Sequence, residues 1–250
     1  MRHLGAGALL ILMLGCRVTA VDRWVAGKRE LRAGDYESAI VHFHACTKKD
    51  PDFAPAYLGL AAACTQQGDF PAVAGNLEKY LERNPKHGVA HLYLAECLFQ
   101  MNENERARNH YLQFIDIVQE EVPTDHDRLI HCYQRMVELA VRRGDLFEEE
   151  LYSGLAIHQR GCADRIGRAA DAARSEKPGE PFAAALDRLN QAKMLRPSDP
   201  VLKRAIDDVL RELAASEGIE TSHGLKQNEA PQAPIDPSIS SLMFGPPKKK

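Results

Sequence analysis

Aromatic residues make up only 6% of this 250-residue chain, and there is a single tryptophan. Sheets draw on aromatic and β-branched side chains, so the shortage, set against plentiful Ala and Leu, argues for helices. Neither sign of charge prevails: 32 basic against 35 acidic residues leave a net of −3. No global positive field is present to hold a nucleic-acid backbone, which argues against a DNA- or RNA-binding role. Six cysteines without a Cys-x-x-Cys pair are too few for a disulfide scaffold. The sequence also lacks a Gly-rich phosphate loop, a nucleophile elbow and a supported pair of catalytic carboxylates. No enzyme and no cofactor is therefore expected. What remains is 44% apolar and 27% charged residues, enough to bury a sizeable core.

The longest apolar run lies at the start. Met1-Arg2-His3 is followed by apolar and small residues from Leu4 to Leu14, short of the ~20 residues that span a bilayer. A basic end before such a run predicts a signal peptide over residues 1–15. Leu12-Met13-Leu14-Gly15-Cys16 resembles a bacterial lipobox, which implies acylation of Cys16 and a membrane anchor on the periplasmic side. Arg17, where an aspartate would favour inner-membrane retention, points to the outer membrane. Val18-Thr19-Ala20 offers a competing cleavage site that would release a soluble periplasmic or secreted chain from Val21, with the alternative role of a regulator that binds a cell-wall enzyme or glycan.

Self-similarity organises the middle. Gly34-Asp35-Tyr36 recurs as Gly68-Asp69-Phe70, Pro51 recurs as Pro85, and Asn102 follows Gly68, all at a spacing of 34. In units counted from Ala20, Ala54 and Gly88, the eighth positions are Gly27, Ala61 and Ala95. The twentieth are Ala39, Val73 and Ala107, and the twenty-fourth are Phe43, Leu77 and Tyr111. Small residues suit the close crossing of two antiparallel helices, and the large one fills the space between them. Residues 20–121 thus resemble three tetratricopeptide repeats. The resemblance implies an all-α, right-handed solenoid of antiparallel helix pairs.

Val122-Pro123-Thr124-Asp125 interrupts the phase. A fourth unit follows from Ile130 through Gly144-Asp145-Leu146, with Glu149 and Ser153 replacing the expected small and aromatic residues. A fifth pair is expected from helices around Asp164–Ala173 and Ala184–Ala192, with Val201–Leu213 as a solvent-facing cap. Residues 122–215 are accordingly degenerate repeat-like helices. From Glu217 to Lys250 five prolines and no periodicity predict a disordered tail.

The resemblance implies binding of another protein, by a peptide or helix held in a concave groove lined by the first helix of each pair. Lys28, Leu31 and Arg32, then Leu58, Ala62 and Gln66, then Leu92, Glu96 and Gln100 are the expected lining, joined by Gln134, Arg135, Glu138 and Arg142. Trp24 stands one place beyond the signature tryptophan, so it either packs inward or anchors a partner. The family's clamp for acidic chaperone tails is absent, since Trp24, Lys28 and Gly59 occupy its positions. His87 and His91 have a metal-compatible spacing but no completing ligand, so no metal is expected. The cysteines after Cys16 read as buried small apolar residues, and Glu148-Glu149-Glu150 reads as a solvated charge run.

Overall fold

The computed structural model describes residues 18–119, 124–170 and 179–216, and every regular element among them is a helix. The helices are α1 (Ala20–Ala33), α2 (Tyr36–Lys49), α3 (Ala54–Gln67), α4 (Phe70–Arg83), α5 (Gly88–Gln100), α6 (Asn104–Val118), α7 (His126–Arg143), α8 (Leu146–Ala170), α9 (Glu180–Leu195) and α10 (Pro200–Ser216). The signal segment with Cys16, the Val122-Pro123 break and the tail lie outside the described residues. Two compact units form, and their boundary falls between Met101 and Asn102. It therefore passes between the two helices of the third repeat.

The Gly-Asp dipeptide builds the turns. Gly34, Gly68 and Gly144 adopt φ of 81°, 74° and 70°, a left-handed conformation that lets the chain leave a helix without a Cβ clash. The Gly34 N–H donates to the Leu31 carbonyl and the Asp35 N–H to that of Glu30, closing α1. Asp35 then accepts from the Ser38 N–H at 3.0 Å and starts α2. Asp69 and Asp145 accept equivalently from Ala72 and Glu148, each at 3.1 Å. One dipeptide thus ends one helix and caps the next. Asn102 takes the same backbone region at φ 59°, and Glu103 supplies no side-chain cap to α6.

In the first unit, α1 to α5 pack each against the next, and α1 also touches α3. Phe43 of α2 is completely buried. A Cβ on Gly27 would stand 2.7 Å from its ring, and one on Gly59 2.6 Å. The phenyl ring therefore occupies space that two glycines, on α1 and α3, leave open. Leu77 and Tyr111 at the equivalent repeat position are also fully buried, Tyr111 within the second unit. Repeat-equivalent residues at the fourth position pin the prolines: Tyr57 Oη donates to the Pro51 carbonyl at 2.9 Å, and His91 Nε2 donates to that of Pro85 at 2.9 Å. His91 is thereby assigned a structural bond, and His87 packs edge-on against Tyr80.

The second unit departs from the expected layout. Instead of breaking near Asp164, α8 runs for 25 residues. The fifth pair is α9 with α10, and α10 packs on both α9 and α8. The expected cap is therefore the second member of that pair. Glycines again set the pairing: a Cβ on Gly154 would meet Leu189 at 2.8 Å, and one on Gly161 would meet Phe182 at 3.0 Å. Two glycines seven apart receive two large residues seven apart in reverse order, which fixes α8 and α9 antiparallel. The sequence reading missed this because the contacts replace Glu149 and Ser153 by positions outside the repeat phase.

Candidate partner-binding surface

The expected groove residues divide by burial. Leu58 and Leu92 are 6% and 2% exposed, so they belong to the packed interior and do not line an open groove. The physical reason is that α3 and α5 are apolar on nearly every side, with Ala56–Cys64 and Ala90–Ala95 buried throughout. Leu31 and Ala62 are buried as well. Gln66 accepts a hydrogen bond from Tyr36 Oη at 3.4 Å, and Glu96 is half-buried on α5. Arg32 and Gln100 are exposed at the ends of α1 and α5.

Trp24 packs rather than projects. Its ring meets Phe53 edge-on at 5.8 Å, and Lys28 Nζ lies 4.6 Å from the ring centre. The indole Nε1–H is buried without an acceptor. On α7, Gln134 is exposed, Arg135 spans both carboxylate oxygens of Glu138 at 3.2 Å, and Arg142 donates to Asn104 at 3.1 Å.

The second unit contains a recess of about 710 Å³ that the first-helix pattern does not include. Its walls come chiefly from α6, α8 and α10, and none of Gln134, Arg135 or Arg142 lines it. Leu112, Ile115, Leu129, Leu151 and Leu155 make an apolar floor. Arg108, Asp116, Arg204 and Asp208 bring both charges to it, and Tyr133 and Tyr152 stack beneath at 6.2 Å. Tyr133 Oη accepts from Gln119 at 3.0 Å. Burial, reinforced by the neighbouring Glu148 carboxylate, pushes the Tyr152 hydroxyl up to about 12, so it stays a neutral hydroxyl.

Glu148 overturns the reading of its charge run. It is buried and forms ion pairs with both Arg108 and Arg143, while Glu150 pairs with Arg188 at 3.0 Å. Arg196 bonds Asp145 at 3.2 Å and covers the Phe147 ring at 4.3 Å. Apart from Arg143, these arginines come from positions 38 to 51 residues away, beyond any local pattern. The five described cysteines are free and buried, as the sequence indicates. Cys162 Sγ lies 3.6 Å from His158 Nε2, but burial pushes the thiol up to about 11 and holds the imidazole below its ordinary value. Among the described residues no cluster could hold a metal ion, and no helix is long and apolar enough to cross a membrane.

Glycine-closed turns, aspartate caps and a 34-residue register define a repeat protein built from helix pairs. The tetratricopeptide repeat family model matches residues 30–74 and 65–113, and the chain carries these repeats there. No curated protein matches the sequence. Among solved structures, the MamA protein aligns at 15% identity and a TM-score of 0.48, covering 85% of this chain and 99% of MamA. The C-terminal part of a tetratricopeptide repeat-containing protein from Cytophaga hutchinsonii aligns at 15% identity and a TM-score of 0.49, covering 82% and 71%. Pseudomonas aeruginosa pilF aligns at 13% identity and a TM-score of 0.41, covering 76% and 97%.

Proposed function

We propose that this chain is a non-catalytic adaptor of a bacterial cell envelope, anchored through an acylated Cys16, which holds a segment of another protein. The observation that carries the binding reading is the recess of the second unit. Its apolar floor, both charges and tyrosine hydroxyls match the mixture that a polypeptide presents, rather than the uniform charge of a phosphate polymer. The exposed first-helix residues Arg32, Gln100, Gln134 and Arg142 extend the polar surface of their own units.

The anchor reading draws support from the start of α1. Thr19 and Asp22 form a reciprocal capping box, with Thr19 N to Asp22 at 2.6 Å and Asp22 N to Thr19 at 3.1 Å. Cleavage after Ala20 would remove that cap, whereas processing before Cys16 preserves it. Mass spectrometry of the membrane-extracted protein should find an acylated Cys16; a mature chain starting at Val21 would sink the anchor. For the recess, cross-linking and affinity recovery should compare wild type with Val201→Glu plus Arg204→Glu, two exposed rim positions. A roughly tenfold loss of the co-purified partner is expected on the scale of one or two lost hot spots. Undiminished recovery would place binding elsewhere.

A further inference from the structure

The recess of the second unit holds two hydroxyl protons that no described residue accepts. Tyr152 is 6% exposed, and among the described residues nothing hydrogen-bonds to its Oη. That oxygen is not sealed in, so the exposure it keeps opens on the recess that the residue lines. Tyr133, stacked on it at 6.2 Å and 1% exposed, lines the same recess. Its Oη accepts from Gln119 at 3.0 Å and keeps its own proton to donate. Water can take both protons in the free protein. A ligand that displaces the water must bring acceptors of its own, since a buried polar group left unpaired is costly.

The surroundings select the acceptor. An anion at the hydroxyls is disfavoured, because the Glu148 carboxylate stands beside Tyr152 and its arginine partners, Arg108 and Arg143, are already committed to it. A helix is disfavoured because its carbonyls, except in the last turn, are spent on its own N–H groups. The backbone of an extended segment remains, whose carbonyls are neutral and free. Phe147, Leu151, Leu155 and Gln159 recur at every fourth place along α8, and all line the recess. They cover about 18 Å by helical rise, the length of five or six extended residues. Alternate side chains of such a segment enter the apolar floor, and those between them turn to the rim. We infer that the recess binds an extended segment of another protein, apolar at alternate places, whose backbone carbonyls accept from Tyr152 and Tyr133. The inference rests on the recess being the partner site, and adds the conformation and chemistry of what that site holds.

The test selects ligands for the full chain from two display libraries, one of random linear decapeptides and one randomised on a face of a stable helical scaffold. A selected decapeptide is synthesised with both ends blocked and with one backbone amide at a time replaced by a thioamide, a weaker acceptor. The expected result is enrichment of linear peptides with apolar residues at alternate places. Binding should weaken roughly fivefold when either of two carbonyls becomes a thiocarbonyl. Tyr152→Phe should cause a similar loss and cancel the penalty of one thioamide, and Tyr133→Phe should cancel the other, as coupled partners do. Each variant deletes one oxygen, and circular dichroism melts confirm that both fold. Binding that tolerates Tyr152→Phe, or thioamide losses unchanged in that variant, overturns the inference. Enrichment of helices alone, of neither library, or of peptides that bind only with a free carboxylate overturns it as well. Val201→Glu plus Arg204→Glu separates two kinds of failure. If that variant binds the peptide normally, the recess is not the site and the reading beneath the inference fails too. If it loses the peptide while Tyr152→Phe keeps it, only the inference fails.

Discussion

Phe43 shows how a single position carries a repeat. Its ring fills the space left by Gly27 and Gly59, and neither glycine has room for a methyl group. Gly59→Ala would place one 2.6 Å from the ring, on a helix that is buried along most of its length. Overpacking of this kind costs about 1–3 kcal/mol. Thermal unfolding should show the loss, and Phe43→Leu in the same chain should recover part of it by vacating ring volume. A Gly59→Ala chain as stable as wild type would mean that the ring can move aside. Glu148 makes the opposite case, a charge held rather than an apolar group squeezed. Removing one partner of a buried ion pair costs about 3–5 kcal/mol. Arg108 and Arg143 keep about a quarter of their side-chain surface exposed, so water recovers part of that loss. Glu148→Ala should therefore fall near the lower end, about 3 kcal/mol by denaturant titration, while Glu149→Ala changes stability little.

Helix ends decide how much of the architecture can be read locally. The Gly-Asp turns were legible because a left-handed residue followed by a capping carboxylate is a requirement of the backbone itself. The same rule predicts that Gly144→Ala, which forces a Cβ into φ 70°, destabilises α7 by about 1–2 kcal/mol. Asn102→Gly, at φ 59°, should be neutral or mildly stabilising, because glycine relieves the strain but loses more entropy on folding. Paired melts of the two variants check the contrast, and equal effects would show that local backbone strain is not what these turns control. The elements that could not be read are those specified by distant partners. Nothing in Gly154 and Gly161 announces Leu189 and Phe182, so α8 runs past the point where repeat phase would end it. Leu58 and Leu92 stand at groove positions, but helices apolar on every side have no groove face to offer. The recess escaped notice because second helices line most of it, whereas the repeat pattern assigns binding to the first.

Among the described residues, each compact unit carries one histidine held below its ordinary value, which gives stability a shared pH dependence. His87 serves in the first unit and His158 in the second; burial is the leading cause for both. An unfolded histidine takes up a proton near pH 6.5, and the folded ones resist until lower pH. Below about 6.5 the unfolded chain therefore binds more protons than the native one, so the stabilisation present above that value declines as acidity increases. The lowered carboxylates Asp22, Asp35 and Asp145 act in a separate window below about pH 4, since each is lowered from 3.8. Melting temperature should hold steady from pH 8 to 7 and fall between 6.5 and 5. Trp24, the sole tryptophan, separates the units, since its fluorescence reports on the first while circular dichroism reports on both. His87→Gln should flatten the acid dependence of the Trp24 transition. His158→Gln should flatten only the part of the circular dichroism melt that Trp24 does not see. A melting temperature indifferent to pH between 7.5 and 5.5 would show that neither imidazole is buried as the structure has it.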